Sequence, residues 1–466
     1  MSRYFLLTAV VLLEGCVVGP KYQEPNPNAP SKFASKVSGA VPAAVEEGWW
    51  KKLNDAQLNG LIRDVEAQNF DLKAAEARLK EARALWRQAR LDLFPTVTSE
   101  AGYTNSRVSK AKSFTGKASS SELYEVALDA TWELDFFGRV RQEVRAARAN
   151  EESLAAERDA LLIDLRSEVA INYLLVRGGQ AQLDVARQNA ENQADSLRVA
   201  EASLNGGRGT QLDVARARAQ WNSTLATIPQ FQISIDQSIH RIAVLCGTAP
   251  STLRPKLDAA RPLPQTPSRV ALANPAEVIR HRPDIRAVER NLAAATARIG
   301  VATADLFPRV TFNGTFGLQG QTLSALTKAG NGSYDFGPHL SWAAFNLGRV
   351  RAQIAAENAR AEGVLDRYQQ TVLQALEEAE NALTSYDRER QRLGYLREAA
   401  KSAEEAAKLA RERFKDGVAT FLDVLEAERV ALIAQNDAVA SQTRVATAWV
   451  SVYKAMGGGW GSGSGK

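Results

Sequence analysis

The chain has 466 residues, room for two to four ordinary domains, with 58 Lys and Arg against 53 Asp and Glu and a formal net charge of +5. Both signs of charge are interspersed and no dense basic block occurs, which argues against a nucleic-acid partner. A hydrophobic content of 45% suits a globular chain and is too low for a bundle of membrane helices.

The chain begins MSRYFLLTAVVLLEGC: one basic residue, Arg3, then an apolar run over 4–13. That run is about half of what a helix needs to span a bilayer, and it reads as the core of an export signal over 1–15. The LEGC that closes it resembles a bacterial lipobox, which would make Cys16 the lipidated first residue of the mature protein and anchor it through acyl chains. A plain secretory signal is the alternative. An extended segment, 16–55, follows. The other cysteine, Cys246, lies in the apolar stretch IHRIAVLCG and reads as a small core residue. The three histidines, His240, His281 and His339, are far apart, so no metal-ligand or triad spacing exists and neither a cofactor nor an enzymatic reaction is expected.

From there the sequence repeats itself at long range. DLFPTVT at Asp92–Thr98 returns as DLFPRVT at Asp305–Thr311, WELDFFGRVR at 132–141 as WAAFNLGRVR at 342–351, and GRGTQLDV at 207–214 as GVATFLDV at 417–424. DLKAAEARL at 71–79 returns as DIRAVERNL at 284–292. Four anchors in one order, 210 to 213 residues apart, point to one unit used twice, over 56–248 and 276–456. The Pro-rich segment 249–275 reads as an extended crossover and 457–466 as a flexible Gly-rich tail.

Each unit reads as helix, β-hairpin, long helix, turn and long helix. Pro disfavours helix for the residue before it, so Phe94–Pro95 and Phe307–Pro308 should mark helix-to-strand joints. The hairpins, about 95–134 and 308–345, alternate with period two. Tyr124, Val126, Leu128, Ala130 and Trp132 oppose Glu125, Asp129, Thr131 and Glu133; Val310, Phe312, Phe316 and Leu318 oppose Thr311, Asn313, Thr315 and Gln319. A half-buried sheet in a soluble sandwich shows the same alternation. An aromatic-tipped apolar face opposite a carboxylate-bearing face instead marks a transmembrane β-barrel strand. Four strands cannot close a barrel and open edges are not tolerated in lipid, so the barrel must be shared: eight strands from two chains, or twelve from three.

After Gly138 and Gly348, the strand-to-helix joints, the period changes to that of a helix. Leu365, Tyr368, Val372, Leu376, Ala379, Leu383 and Tyr386 form a stripe that resumes at Leu393 and runs to Phe414. The helices, within 139–248 and 349–456, turn back at Gly207 and Gly417. A helix over 350–416 would be roughly 100 Å long at ~1.5 Å per residue. A coiled-coil rod has the same stripe, but it leaves the strand pairs at the root of both hairpins unexplained.

Taken together, these residues resemble the TolC-like outer-membrane efflux lipoproteins, of NodT and OprM type, that serve resistance-nodulation-division pumps. Carrying the likeness are GCVVGPKYQEP after the signal, GWWKKLNDAQLNGLI at Gly48–Ile62, HRPDIRAVERNLAAATARIGVATADLFP at His281–Pro308, the two GRVR helix starts and YKAMGGGW at Tyr453–Trp460. The resemblance implies an α+β membrane protein: a homotrimer whose twelve strands form an outer-membrane barrel continuous with a periplasmic α-barrel of long antiparallel helices. It implies a passive duct in the outer membrane of a Gram-negative bacterium, working with a periplasmic adaptor and an inner-membrane pump on drugs or other small toxic compounds. Metal efflux, type I protein secretion and a periplasmic adaptor lipoprotein are the alternatives. By the same resemblance Asp423 and Glu426 stand at acidic-ring positions of a pore gate, Asp213 duplicates Asp423, and Phe414 stands at an aromatic gate position. An arginine lock of some members has no counterpart, Ala419 standing in its place; Arg208 is the candidate to substitute. An Asp at these positions equally suits the start of a helix.

Overall fold

The structure, a computed structural model, describes residues 17–43, 47–114 and 116–458. The export signal, Cys16 and the end of the Gly-rich tail lie outside the described residues. The chain runs through β1 (Ala40–Pro42), a 3-10 turn (Trp49–Leu53), α1 (Ala56–Gln68), α2 (Phe70–Leu91), β2 (Thr96–Val108), β3 (Ser119–Glu133), α3 (Arg139–Asn205) and α4 (Gln211–Leu245). It continues through α5 (Arg254–Leu257), β4 (Val270–Leu272), α6 (Pro275–His281), α7 (Pro283–Ala304), β5 (Arg309–Gly320), β6 (Gly332–Ser341), α8 (Leu347–Lys415) and α9 (Phe421–Ala455). Backbone contacts divide it into two units. The first is Met1–Asn26, Ala77–Ala155 and Ala287–Gln369; the second is Pro27–Glu76, Ala156–Arg286 and Gln370–Lys466.

Four antiparallel strands in the order β2-β3-β5-β6 make the sheet of the first unit. Directly paired residues share a face. Ser99, Leu128, Phe316 and Tyr334 form one row across it, and Val97, Ala130, Gly314 and Phe336 the next. Leu128, Phe316, Tyr334 and Phe336 are all exposed in the single chain, so this apolar face has no partner within it. On the other face Gln319 Nε2 donates to Glu125 Oε1 at 2.7 Å, and Thr315 Oγ1 to Asp129 Oδ1 at 2.6 Å. The alternation seen in the sequence is therefore two-sided, polar opposite apolar, with β2 and β6 as edges.

The second unit holds the main hydrophobic core. Trp49, Leu58, Leu61 and Ile62 pack with Tyr173 and Leu174 of α3, Ile239 and Ile242 of α4, and Trp449 and Tyr453 of α9. Trp49 meets Trp449 edge-on at 5.7 Å and stacks on Tyr453 at 5.6 Å, contacts worth ~1 kcal/mol each beyond area burial. Cys246 is buried, its Sγ 3.8 Å from the Leu61 carbonyl oxygen, and burial pushes its thiol up to about 11. The α8 stripe faces inward: Tyr368, Val372, Ala379, Leu383, Tyr386 and Leu393 are buried.

Extended chain crosses these helices at two places. Arg177 of α3, wholly buried, donates from Nη1 to the Ala259 carbonyl (2.9 Å), and Gln180 Nε2 donates to that of Leu257 (2.9 Å). On α8, 210 positions later, Asp387 Oδ1 accepts from Ser38 N (3.0 Å) and Arg390 Nη1 donates to Ser38 O (2.6 Å). Glu380 accepts from Ala34 N and Ser35 N; burial pushes its carboxyl up, but the Ser35 hydroxyl and these two N–H groups outweigh that and hold it below the usual range. The two gripped segments meet as the parallel pair β1–β4.

The single helix expected before each hairpin is two. Asn69 breaks the first with extended backbone (ψ 130) and caps α2 through Leu72 N. Arg282 breaks the second because Pro283 follows and excludes helical geometry (ψ 122). Both side chains then donate to a last-turn carbonyl of a returning helix: Asn69 Nδ2 to Leu245 O (2.9 Å) and Arg282 Nη1 to Ala455 O (2.8 Å). The crossover also contains one helical turn, α5.

Candidate functional site

The joints of both hairpins are closed by the same hydrogen bonds. Helix α2 tightens at its end, Phe94 N donating to Leu91 O at 2.9 Å; after α7, Phe307 N donates to Ala304 O at 3.0 Å. Pro95 and Pro308 carry no N–H, and the helix leaves its last carbonyls unpaired. The Trp132 indole Nε1 donates to Leu93 O at 3.0 Å, and the Trp342 indole to Leu306 O at 3.0 Å. Each returning strand thus locks to the helix end that launched its partner. Phe307 stacks on Phe137 at 4.6 Å, whereas Phe94 is 63% exposed.

At the next joint Gly138 has φ +82, and a Cβ there would stand 2.9 Å from Val17 Cα. Val18 N donates to Phe137 O (3.1 Å) and Gln142 Nε2 to Val18 O (3.0 Å). The residue following Cys16 is therefore seated where the hairpin becomes α3. Asp135 caps that helix through Val140 N and Arg141 N. Gly348 differs: it lies inside the first turn of α8, has no positive φ, and leaves open space within 4 Å of where a Cβ would stand.

The hairpin tips repeat as well. Gly207 (φ +69) and Gly417 (φ +74) end α3 and α8 in left-handed geometry; Arg208 N returns to Ser203 O and Val418 N to Arg413 O, each at 2.9 Å. Capping boxes then start α4 and α9. Asp213 Oδ2 accepts from Thr210 N (3.1 Å) and Oγ1 (2.6 Å); Asp423 Oδ2 accepts from Thr420 N (2.8 Å) and Oγ1 (2.7 Å). The Thr420 hydrogen bonds hold the Asp423 carboxyl below its ordinary range. Glu426 is bound by Arg429 on its own helix, Nη2–Oε1 2.5 Å, which lowers its carboxyl too. Phe414 is half-buried against Phe421 (5.3 Å), beside Leu197, Val214 and Leu425. Arg208 is exposed and makes no ion pair among the described residues. Asp213 and Asp423 thus each sit in their own tip, and Phe414 joins the apolar contacts beneath them.

Farther along the same helices lies a pair the sequence did not disclose. Glu428 of α9, 3% exposed, accepts from Ser196 Oγ of α3 (2.8 Å) and Arg411 Nη1 of α8 (3.3 Å). Burial raises its carboxyl, and Ser196 and Arg411 oppose that rise. Glu201 of α3 and Arg218 of α4, 210 residues earlier in each case, pair at 2.9 Å with the signs exchanged.

A sheet with one unpartnered apolar face, rooted in helices of 67 and 69 residues, defines the class: an outer-membrane channel protein. Residues 61–248 and 274–458 match the family described as Outer membrane efflux protein, and the chain belongs to that family. It is 30% identical to Nodulation protein T of Rhizobium leguminosarum bv. viciae over 99% of this chain and 94% of that one. It is 29% identical to the toluene efflux pump outer membrane protein TtgF of Pseudomonas putida, covering 98% and 97%. Among solved structures, the outer-membrane channel OprN superposes with a TM-score of 0.89 at 37% identity, over 96% of this chain and 100% of that one. The open-state MtrE outer membrane channel of Neisseria gonorrhoeae superposes at 0.85 with 27% identity, over 95% and 98%. The protein is an outer-membrane efflux channel, and its family is one of ducts.

Proposed function

We propose that three copies of this chain, each built from one unit used twice, pool their sheets into a twelve-stranded barrel with the carboxylate face lining the bore. The observation that carries this is the sheet: its apolar face is open, which suits lipid, and both its edges are open, which lipid does not tolerate without closure. The long helices extend the duct into the periplasm, where an adaptor and a resistance-nodulation-division pump deliver the cargo. Named relatives move toluene, solvents and antibiotics, which favours small apolar or amphipathic toxic compounds here. Acyl groups on Cys16 anchor the chain, consistent with Val17 being seated beside Gly138, at the membrane end of α3.

Asp423 and Asp213 serve two roles: each caps a helix, and three copies of each around a narrow aperture concentrate negative potential that favours cations. Single-channel recording of the purified protein in planar bilayers tests this. Wild type should give small, cation-selective currents blocked by multivalent cations, and Asp423→Ala should raise conductance and weaken block. Unchanged current and unchanged block would sink the gate assignment. A deletion strain that keeps its full resistance across a panel of solvents and antibiotics would sink the cargo assignment.

A further inference from the structure

The apolar face of the sheet ends at a definite level. Tyr103 pairs with Tyr124, their rings 4.7 Å apart, as an interfacial aromatic pair would. Strands β2 and β3 continue for five residues beyond it, to the pairing of Val108 with Ser119. At ~3.4 Å per residue that carries them roughly 17 Å past the tyrosines. Arg107 stands on the same face as Tyr103, four residues farther out, and the loop beyond it reads Ser109-Lys110-Ala111-Lys112-Ser113-Phe114 and, after residue 115, Gly116-Lys117.

From Ala101 to Ser121 there are four cationic side chains and no carboxylate. Arg107, Lys110, Lys112 and Lys117 are all exposed, and so is the whole of Phe114. The other connection on this side of the sheet, 321–331, carries Lys328 and likewise no acid. The opposite end of the sheet is different: Glu133 and Asp135 are bound there by Arg139 and Arg141. Solvated loops commonly carry lysines, but usually of mixed sign. Here the loop itself, 109–118, carries three lysines and no acid around one exposed phenyl ring, and Glu122, opposite Asn105, is the one carboxylate between that loop and the tyrosine pair.

We propose that the β2–β3 loop docks the phosphate groups of a phosphorylated glycolipid in the outer leaflet around the channel, with Phe114 resting among its acyl or sugar groups. The proposal rests on the outer-membrane placement given above. Both α2 and α3 join the sheet at its other end, so this loop, with the 321–331 connection, emerges on the far side of the membrane. Cationic clusters beside a membrane bind anionic headgroups with a gain that grows with each side chain and is screened by salt.

The probe is bis-phosphorylated lipid A, a minor component of phosphatidylcholine vesicles holding the full-length protein. After mild re-solubilisation, the lipid A retained by the protein is counted by mass spectrometry. Wild type should retain it several-fold above its bulk fraction, and K110Q/K112Q/K117Q should bring retention down to about that fraction. K110R/K112R/K117R should keep it, and so control for folding. Salt at about 1 M should release the lipid. Retention unchanged in the glutamine variant, or equal retention of dephosphorylated lipid A, would overturn the proposal. Displacement by millimolar inorganic phosphate would point to a soluble anion and overturn it as well. Bilayer conductance, read on the same samples, should survive all three lysine substitutions; its absence from the wild type would instead overturn the channel reading.

Discussion

The exchanged ion pairs permit a direct test. Arg411 Nη1 and Glu428 Oε1 are 3.3 Å apart, and at an effective dielectric of ~20 their attraction is about 5 kcal/mol before desolvation. Desolvating a carboxylate only 3% exposed offsets much of that. Arg411→Glu would place two carboxylates together and reverse the sign of the interaction. Because the Arg411 side chain is 36% exposed, solvent screening cuts the cost to roughly 2–3 kcal/mol. Glu428→Arg should cost a similar amount by opposing two cations. The double exchange R411E/E428R recreates the polarity of Glu201 and Arg218 and should recover most of the loss, since Ser196 Oγ can accept from a guanidinium as readily as it donates to a carboxylate. Thermal unfolding of the four proteins in detergent, followed by circular dichroism, completes the cycle. A double variant that melts no higher than additive single losses predict would refute the reasoning.

Trp132→Phe and Trp342→Phe should each cost ~1 kcal/mol, because each removes an indole donor and leaves a helix-end carbonyl unpaired; equal shifts in melting temperature would support equivalent joints. Thr210→Ala and Thr420→Ala should each cost ~1 kcal/mol locally, read as faster amide exchange in the first turns of α4 and α9. The Asp423 carboxyl is held low in the folded state, so its capping contribution is present above the ordinary Asp range and lost as pH falls through the folded value; exchange in α9 should rise there and not in T420A. Glu428 has the opposite sign: its folded-state value is raised, so its contribution is full at low pH and lost as pH rises through that value. Glu428→Gln should flatten that dependence in pH-resolved melting curves. Gly178→Ala should cost ~1–3 kcal/mol, because the new methyl would stand 2.5 Å from Thr443 Cγ2.

Residues whose partners are near in sequence were readable in advance. The T-x-x-D capping boxes at Thr210 and Thr420 are visible as strings, the α8 stripe follows from its spacing, and the strand faces follow from alternation. Arg282–Pro283 carried a legible helix break, since Pro disfavours helix for the residue before it, while Asn69 needed its cap to be seen. What stayed hidden depends on pairings across the fold. The Trp132 indole finds a carbonyl 39 residues back, and Glu428 lies buried against a serine 232 residues away. The strap bound to Glu380 offers two backbone N–H groups, which every residue possesses, and one serine hydroxyl, too little of a side-chain pattern to announce it.

Asn69 and Arg282 hold corresponding helix ends by different means. The amide is neutral, whereas the guanidinium is also bound by Asp284 and Glu378, each at 2.7 Å. At these two clasps ionic strength is therefore a one-sided lever: high salt should soften the Arg282 clasp and leave the Asn69 clasp untouched. In a ring of three chains, that would loosen every second hairpin, so that a circle of six hairpins would answer to salt with threefold symmetry.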